Sequence, residues 1–599
     1  MVASEATTAP VEQATTTRDG SPLLRMRHST AHIMAQAVQR LFPGTTFGIG
    51  PAIDDGFYYD FDSPHTFSPE DFPVIEAEMR KIIVEDYPFI LSEVSREEAR
   101  RLFLDRNERY KVDLIDRFPE GERITLYTDG DFVDLCAGPH VASTSKVGPF
   151  KLRAVAGAYW HGDEHQPMLQ RLYGLAFDTP EALEHHLWLL EEAKKRDHRR
   201  LGQELDLFTF SDLVGAGLPL FTPKGTLIRR LLEEFVQSLQ EPLGYQRVTI
   251  PHITKSDLYK VSGHWEKFKD DLFHVSGKSG EDFAMKPMNC PHHTQIYAAR
   301  QRSYRDLPIR LSEVTACYRD ELPGTLLGLS RVRSLTQDDA HVFCRPEQVM
   351  EEALRIYAIV EGFYRPFGMP LAIRLSLWDP AHPEKYLGDA QTWTTAQEQL
   401  REVLRAKDAT WVEEVGEAAF YGPKIDFNAT DALGRVLQLA TLQLDFNLPE
   451  RFNLTYITPE GTPARPAMLH RAILGSVERF MAVLIEHFAG AFPLWLSPVQ
   501  AVVIPIADRH NEYAEQVAKS LQAAGLRVEV DGRREGMRAK IRDAQLQKTP
   551  YMLVVGDKEA EVGQVAVRIR NGQDLGPKPV AEFRDLAVRL STEKSLELV

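Results

Sequence analysis

Two strand-like runs at 310–318 and 331–338, joined through the Pro323-Gly324 turn, constrain the fold of this chain more than any other feature. Arg319 and Glu321 follow the first run, and Arg331 and Arg333 lie on the second. A hairpin with guanidinium groups on both sides and a carboxylate at its start suits a bent nucleotide: phosphates to Arg, base edge to Glu. Far downstream, Arg479 precedes Phe480 on an apolar stretch, where its guanidinium is placed to stack on a planar ring. Taken singly, an Arg-x-Glu is most often a surface ion pair of small energetic weight.

Further strand-like segments lie at 245–250, 424–428 and 436–445, with helical patterns at 224–243 and 472–489. Strands without regular β-α-β alternation favour an antiparallel or mixed sheet. After Pro498 the pattern changes. Apolar strands at 501–505, 527–530, 551–555 and 565–569, with helices at 511–524 and 538–547, predict a small α/β domain with a mostly parallel sheet. Ahead of this, 28–41 has helical apolar spacing, mixed short strands follow to about 175, and 183–201 forms a charged helical linker. The expectation is a multidomain α+β and α/β chain. Its parts are a disordered tail at 1–22, domains at 23–182, 202–497 and 498–599, and the linker at 183–201.

Composition narrows the function classes. No stretch of 18 uncharged apolar residues occurs, and 472–496, the most apolar region, is broken by Glu478, Arg479, Glu486 and His487, so it reads as buried helix. The first twenty residues are polar and lack the apolar core of a signal peptide. The four cysteines, Cys136, Cys290, Cys317 and Cys344, form no CxxC pair, which favours a reducing compartment, the cytoplasm. A net charge of −16 disfavours phosphate binding by the chain as a whole. Residues 501–599 carry 16 Lys/Arg against 15 Asp/Glu, so the tail stands at +1 and the rest at −17. The run Arg527, Arg533, Arg534, Arg538, Lys540, Arg542 and Lys548 fits either an RNA-binding face or a solvated helix face.

Two sets of metal-type side chains stand out. His28 and His32 fall one helical turn apart, and Cys136 and His140 share that spacing, so spacing alone suggests a metal site. The segment HSTAH lacks the Glu of a zincin motif. Cys290, His341 and His470 are too far apart for spacing to say anything, and single buried Cys or His residues are usually core.

The longer motifs decide between these options. YRDELPGTLLGLSRVRSLTQDDAHVF (318–343), AMLHRAILGSVERF (467–480), RHSTAHIMAQA (27–37), DFVDLCAGPH (131–140), VDGRREGMRAKIRDAQ (530–545) and TPYMLVVGDKEAE (549–561) resemble the threonyl-tRNA synthetases, a family of class II aminoacyl-tRNA synthetases. The resemblance covers about 25–595 and implies an antiparallel-sheet class II catalytic core, an α+β editing domain and a C-terminal α/β anticodon-binding domain. It implies ATP-dependent ligation of L-threonine to tRNA(Thr) through a threonyl-adenylate, with hydrolytic editing of Ser-tRNA(Thr). Arg319 would hold the α-phosphate, Glu321 the adenine amino group and Arg331 the γ-phosphate, with Leu335, Gln438, Thr441 and Arg479 completing the ATP site and Mg2+ accompanying ATP. Leu335 stands where the family usually has an aromatic residue stacked on adenine, which implies weaker ATP affinity. Cys290, His341 and His470 match a zinc triad, and Met288, Gln337, Asp339, Tyr421 and Gln443 would shape the threonine pocket. Zinc held by three protein ligands leaves room for the substrate amino group and hydroxyl, which valine cannot match. His264 matches a His implicated in deprotonating the tRNA terminal ribose, and Pro251 matches a motif at the family's dimer interface, implying a homodimer.

The zinc pocket cannot reject serine, so the front domain would edit: His28 would position or deprotonate the water, His32, Asp134, Cys136 and His140 would line the pocket, and Lys111 would hold the tRNA end. Spacing and resemblance point different ways on metal there. Arg542, Glu559 and Arg568 would contact the anticodon. The family often has a further small N-terminal domain, for which His28 is too close to Met1. Rival readings are a sister enzyme for proline or serine, a silent tRNA-sensing paralogue and a free-standing hydrolase. The complete triad with Asp339, the three ATP-clamping Arg residues and the long downstream chain argue against each in turn.

Overall fold

Residues 21–278 and 280–599 are described by the structure, a computed structural model. The expected tail falls outside them except for Ser21 and Pro22, which begin the first helix. The chain forms two compact units, the first ending at Glu191 and the second starting at Glu192.

In the first unit, α1 (Pro22–Leu41) is capped by Ser21, whose Oγ accepts the Leu24 N–H at 3.3 Å, with Pro22 in the first turn. Its apolar residues pack on β1 (Gly56–Asp62), and Met34 and Val38 share a core with Phe57, Tyr59 and Phe61. Next come α2 (Arg109–Arg117), the hairpin β2 (Ile124–Asp129) and β3 (Phe132–Leu135), and β4 (Phe150–Tyr159) and β5 (Met168–Ala176). β5 lies antiparallel between β1 and β4.

The expected single linker at 183–201 is two helices, α3 (Pro180–Arg196) and α4 (His198–Glu204). Asp197 breaks the run because its carboxylate caps α4, accepting the Arg199 N–H at 2.8 Å.

The second unit is built on an eight-stranded sheet. Its parts are β6 (Gln246–Arg247), α5 (Cys290–Ala298), β7 (Ile309–Tyr318), β8 (Ser334–Cys344), β9 (Leu371–Leu377), β10 (Trp411–Val415), β11 (Lys424–Thr430), β12 (Val436–Asp445), β13 (Ala467–Ser476) and α6 (Val477–His487). Strand order is β6-β7-β8-β13-β12-β11-β9-β10, antiparallel except for the two edge pairs. The mixed sheet agrees with the sequence expectation.

Three local expectations are corrected. Arg331 and Arg333 precede β8 instead of lying on it. The strand at 245–250 shortens to two residues. Most importantly, the helix expected at 472–489 begins only at Val477, and Ala467–Ser476 is a central strand. That strand is buried on both faces, so its apolar run carries no period that separates strand from helix. Gly475 at φ +68° and Ser476, whose Oγ caps α6 at Arg479, make the switch.

The C-terminal region forms β14 (Ala501–Pro505), β15 (Val528–Val530), α7 (Met537–Leu546), β16 (Tyr551–Val555), β17 (Gln564–Ile569) and β18 (Asp574–Pro579). β15, β14 and β16 are parallel, as expected, but β17 and β18 continue antiparallel, so the sheet is mixed. A short antiparallel turn needs no crossover helix, and only the four residues 570–573 separate β17 from β18.

The central sheet hides one full ion pair. Arg471, on β13, donates to Asp338 Oδ1 at 2.7 Å and also reaches Gln240, while Asp338 Oδ2 accepts the Ile473 N–H at 3.0 Å. Both side chains are almost wholly buried. Asp338→Ala strands the guanidinium and is expected to lower stability by about 3–5 kcal/mol, read as a lower urea midpoint for the sheet's unfolding; an unchanged midpoint would contradict this.

Candidate active site

Alternation along β8 sorts its side chains. Leu335, Gln337 and Asp339 are half-buried on one face, whereas Thr336, Asp338 and Ala340 are buried on the other. The half-buried face opens on a cavity of about 540 Å3, and the seven residues expected to bind ATP all line it: Arg319, Glu321, Arg331, Leu335, Gln438, Thr441 and Arg479. Arg319 extends the hairpin, its N–H donating to Arg333 O at 2.9 Å. Its guanidinium lies 5.6 Å from the Phe268 ring, and its buried Nε has no hydrogen-bond partner among the described residues. A buried, unsatisfied cationic N–H facing a cavity fits an anion. Arg331 Nε donates to Glu321 Oε2 at 2.8 Å, so these two residues are partners until a ligand separates them. Such a half-exposed pair is weak and opens readily. Gly475 also lines the cavity, and a Cβ there would meet Leu439 O at 2.7 Å. Gly475 opens the Gly-Ser-Val-Glu-Arg run that carries Arg479 in the sequence.

The same sheet face leads to the metal-type triad. Register places His341 of β8 directly opposite His470 of β13, and His470 opposite Gln443 of β12. Cys290 enters from the first turn of α5. One ligand atom from each of Cys290, His341 and His470 lies within 4.8 Å of the others, and all three residues are buried. The donor set fits a thiolate-and-imidazole ion site such as zinc. Each imidazole is also held from behind. His470 Nε2 lies 2.9 Å from Asp445 Oδ2, and His341 Nδ1 lies 2.7 Å from His293 Nδ1. Such outer partners orient ligating rings. Burial keeps His341 far below the usual imidazole range, hence neutral and able to ligate, and pushes the Cys290 thiol well up.

Around the triad, Asp339 accepts from Asn289 Nδ2 at 3.1 Å, and burial raises its carboxyl. Tyr421 stacks on His470 at 4.9 Å and donates to Gln443 Oε1. Met288 packs in the apolar cluster with Cys290 and Met468. His264 is fully buried; its Nδ1 lies 2.8 Å from Ser262 Oγ and its Nε2 3.5 Å from Cys290 Sγ, and burial lowers its pKa to about 3. Asp445 and His293 escaped the sequence reading because they lie 25 and 48 residues from the histidines they hold.

In the first unit, His28, His32, Cys136 and His140 also bring four ligand atoms within 4.8 Å. Cys136 Sγ lies 3.4 Å from His28 Nε2 and 3.3 Å from His140 Nε2, and the His28 and His140 rings stack at 4.3 Å. His32 Nε2 is 3.4 Å from Asp134 Oδ2, while Lys111 pairs with Asp134 Oδ1. Tyr59 was not anticipated, yet its OH donates to Asp134 Oδ2 at 2.5 Å and accepts from Lys111 at 3.1 Å. All six expected residues therefore form one connected cluster. Burial holds His28 down at about 4, places His32 and His140 well below the usual range, and pushes the Cys136 thiol up to about 12.

In the C-terminal region the three expected anticodon residues are dispersed over α7, β17 and the short helix Asp557–Val562. Glu559 Oε2 accepts the Gly556 N–H at 2.9 Å, and Arg568 donates to Asp574 at 2.9 Å. A cavity of about 520 Å3 there is lined by Arg509, Arg533, Arg534 and Lys540, and by none of the three. The basic run is not one solvated face. Lys540 is buried and donates to the carbonyls of Pro505 and Asp531, Arg527 donates to Trp495 and Ser497 carbonyls, and Arg533 pairs with Asp531 and Asp543.

Comparison with known proteins defines the class. Residues 273–488 match the tRNA synthetase class II core domain (G, H, P, S and T), residues 500–590 an anticodon binding domain, and residues 124–173 the threonyl and alanyl tRNA synthetase second additional domain. The chain is thus a class II aminoacyl-tRNA synthetase by fold. A threonine–tRNA ligase of Symbiobacterium thermophilum is 49% identical over 571 residues, spanning 95% of this chain and 87% of the relative. One from Thermus thermophilus is 50% identical over 590 residues, spanning 96% and 89%. The RNA binding domain of threonyl-tRNA synthetase from Cryptosporidium parvum superposes with a TM-score of 0.63 at 37% identity, covering 67% of this chain and 99% of that one. A putative threonyl-tRNA synthetase from Aeropyrum pernix gives 0.59 at 30% identity, covering 67% and 98%. The chain belongs to the threonine–tRNA ligase family.

The neutral histidine cluster sets a pH dependence. His28 falls from 6.5 to about 4 on folding, so between those values the unfolded chain binds more protons and stability rises with pH. The His28 contribution is fully present above about pH 6.5 and lost as pH drops towards about 4, so over that window the thermal midpoint of the parent is expected to fall more steeply than that of His28→Ala. Equal falls in the two proteins would contradict the neutral assignment.

Proposed function

We propose that the chain ligates L-threonine to tRNA(Thr) through a threonyl-adenylate and hydrolyses Ser-tRNA(Thr) at a second site. The observation that carries this is continuity: one face of β8 runs from the cavity, through Gln337 and Asp339, to His341 of the triad. A nucleotide in the cavity and an amino acid at the triad would lie side by side, as adenylate formation requires.

Arg319 holds the α-phosphate under attack, Arg331 leaves Glu321 for the γ-phosphate, and Glu321 then accepts from the adenine amino group. Arg479 and Leu335 enclose the base, with Gln438 and Thr441 on the cavity floor. Mg2+ accompanying ATP would offset phosphate charge. Cys290, His341 and His470 would hold zinc, which would supply a Lewis-acid position for the amino group and hydroxyl of threonine. Asp339 accepts from the substrate's polar hydrogens, and Tyr421, Gln443 and Met288 fix the pocket's shape. A site built for a hydroxyl rejects valine strongly, whereas serine differs only by a methyl group. His264 takes the ribose proton once its Nε2 is freed from Cys290.

In the first unit, His28 stays neutral at physiological pH and is available to take a proton from water. His32, Lys111, Asp134, Cys136 and His140 position the seryl ester around it. We assign editing to 23–182, catalysis to 202–497 and anticodon binding to 498–599, with Arg542, Glu559 and Arg568 reading bases. A cytoplasmic homodimer, joined near the exposed Pro251, completes the proposal.

An amino-acid panel in ATP–pyrophosphate exchange, with zinc content measured alongside, tests the main reaction. Threonine is expected to support exchange, serine weakly and valine not at all. Cys290→Ser should lose zinc and at least about 100-fold of threonine-dependent exchange together; normal exchange without zinc would sink the assignment. His28→Ala should leave threonine charging intact while slowing Ser-tRNA deacylation by about 100-fold or more. Unaltered deacylation in that variant would remove His28 from the editing reaction.

A further inference from the structure

Asp197, His198 and Glu486 form a third group whose ligand atoms lie within 4.8 Å of one another. It is not an ion site, because each side chain is already engaged. The Asp197 carboxylate caps α4 and pairs with the Arg199 guanidinium. Glu486 Oε2 pairs with Arg435, which also holds Asp431. His198 Nδ1 lies 2.6 Å from Glu486 Oε1, and His198 Nε2 accepts the Leu329 N–H at 3.1 Å. A ring nitrogen that accepts an N–H carries no proton, so the ring proton sits on Nδ1 and is donated to Glu486.

These contacts join two elements that line the nucleotide cavity. Leu329 lies two residues before Arg331, and Glu486 lies two helical turns beyond Arg479 on α6. The backbone of 327–331 is otherwise bonded within itself, through Leu327, Ser330 and Arg331. Among the described residues, the Leu329 N–H is that segment's one backbone hydrogen bond to another part of the fold. Approach to the imidazole is close: Gly328 has φ +48°, and a Cβ there would sit 2.2 Å from His198 Nε2. Leu329 itself is fully buried. An N–H in that position has no water to replace a lost acceptor.

We propose that His198 is a positioning residue that fixes the segment carrying Arg331 against the helix carrying Arg479, so that both guanidinium groups meet ATP without prior ordering. This rests on the reading of the cavity as the ATP site. His198 touches neither substrate; it acts through Leu329 and Glu486. Its loss should therefore weaken ATP binding and leave threonine binding unchanged.

Two substitutions separate the two bonds. In His198→Asn the amide reaches the Nδ1 position and keeps the Glu486 bond, but Leu329 loses its acceptor. In His198→Gln the side-chain carbonyl reaches the Nε2 position and keeps the Leu329 bond. In ATP–pyrophosphate exchange with the full-length zinc-loaded protein, His198→Asn is expected to raise the KM for ATP about tenfold with the KM for threonine unaltered. His198→Gln should bring it back to within about threefold of the parent. An unchanged KM for ATP in His198→Asn, an equal rise in His198→Gln, or a parallel rise for threonine would each overturn the proposal. Arg331→Ala serves as the control. If it leaves the KM for ATP unaltered, the ATP reading of the cavity fails; if it raises that KM and His198→Asn does not, only the role of His198 falls.

Discussion

Cross-strand register between β8, β13 and β12 is the constraint on which the site depends. His341, His470 and Gln443 stand in one row across three antiparallel strands, and Cys290 is brought to them by the start of α5. Because side chains alternate with a period of two, a one-residue slip would turn both imidazoles away. It would also carry Asp338 and Arg471 into the pocket. Those two charges occupy the reverse face, where each satisfies the other inside the core. An unpaired charge there would be costly, so the pair discriminates against the slipped register. The ion pair and the ligand row are thus two consequences of one alignment, on opposite faces of the same strands.

The arginine-lined cavity shows why net charge is a poor guide to partners. The chain carries −16 overall, yet Arg319, Arg331 and Arg479 all face one cavity whose sole carboxylate among the described residues is Glu321. Electrostatic attraction in a partly enclosed site is set by the nearest groups, since more distant surface charge is screened within about 10 Å. Arg319 enters with a buried N–H unsatisfied, and Arg331 with only a weak partner to leave. The protein therefore holds cationic groups in the cavity before any anion binds, the arrangement that reduces the reorganisation an anionic ligand would demand.

Legibility in the sequence followed the reach of local pattern. Arg319, Glu321 and Arg331 were visible because a hairpin places near neighbours together, and His28 with His32 because a helix does. The C-terminal half of the strand carrying His470, 472–476, was expected as helix, since burial on both faces erased its alternation. Asp445 and His293 lie 25 and 48 residues from the histidines they hold, and no spacing rule connects them. The basic run misled for a different reason. Sequence gives the charge of Arg527 and Lys540 but not the backbone carbonyls that absorb their hydrogens.

The two Cys/His clusters use the same residue types yet differ in what surrounds them. Around the triad, His470 and His341 each have a partner behind the ring, so a nitrogen of each is left to face an ion. In the first unit the donors are turned on one another: Cys136 sits between His28 and His140, whose rings stack, and His32 leans on Asp134. His32 Nδ1 has no hydrogen-bond partner among the described residues. Its other ring nitrogen is the one beside Asp134, and His140 Nδ1 is held by Ser29 Oγ at 3.0 Å, so this cluster too has partners behind its rings. It differs in placing neutral imidazoles beside a thiol and a Lys-Asp pair, groups that bind and deprotonate small polar molecules. The same residue types thus occur in two settings, and residue type alone does not separate an ion site from a hydrolytic one.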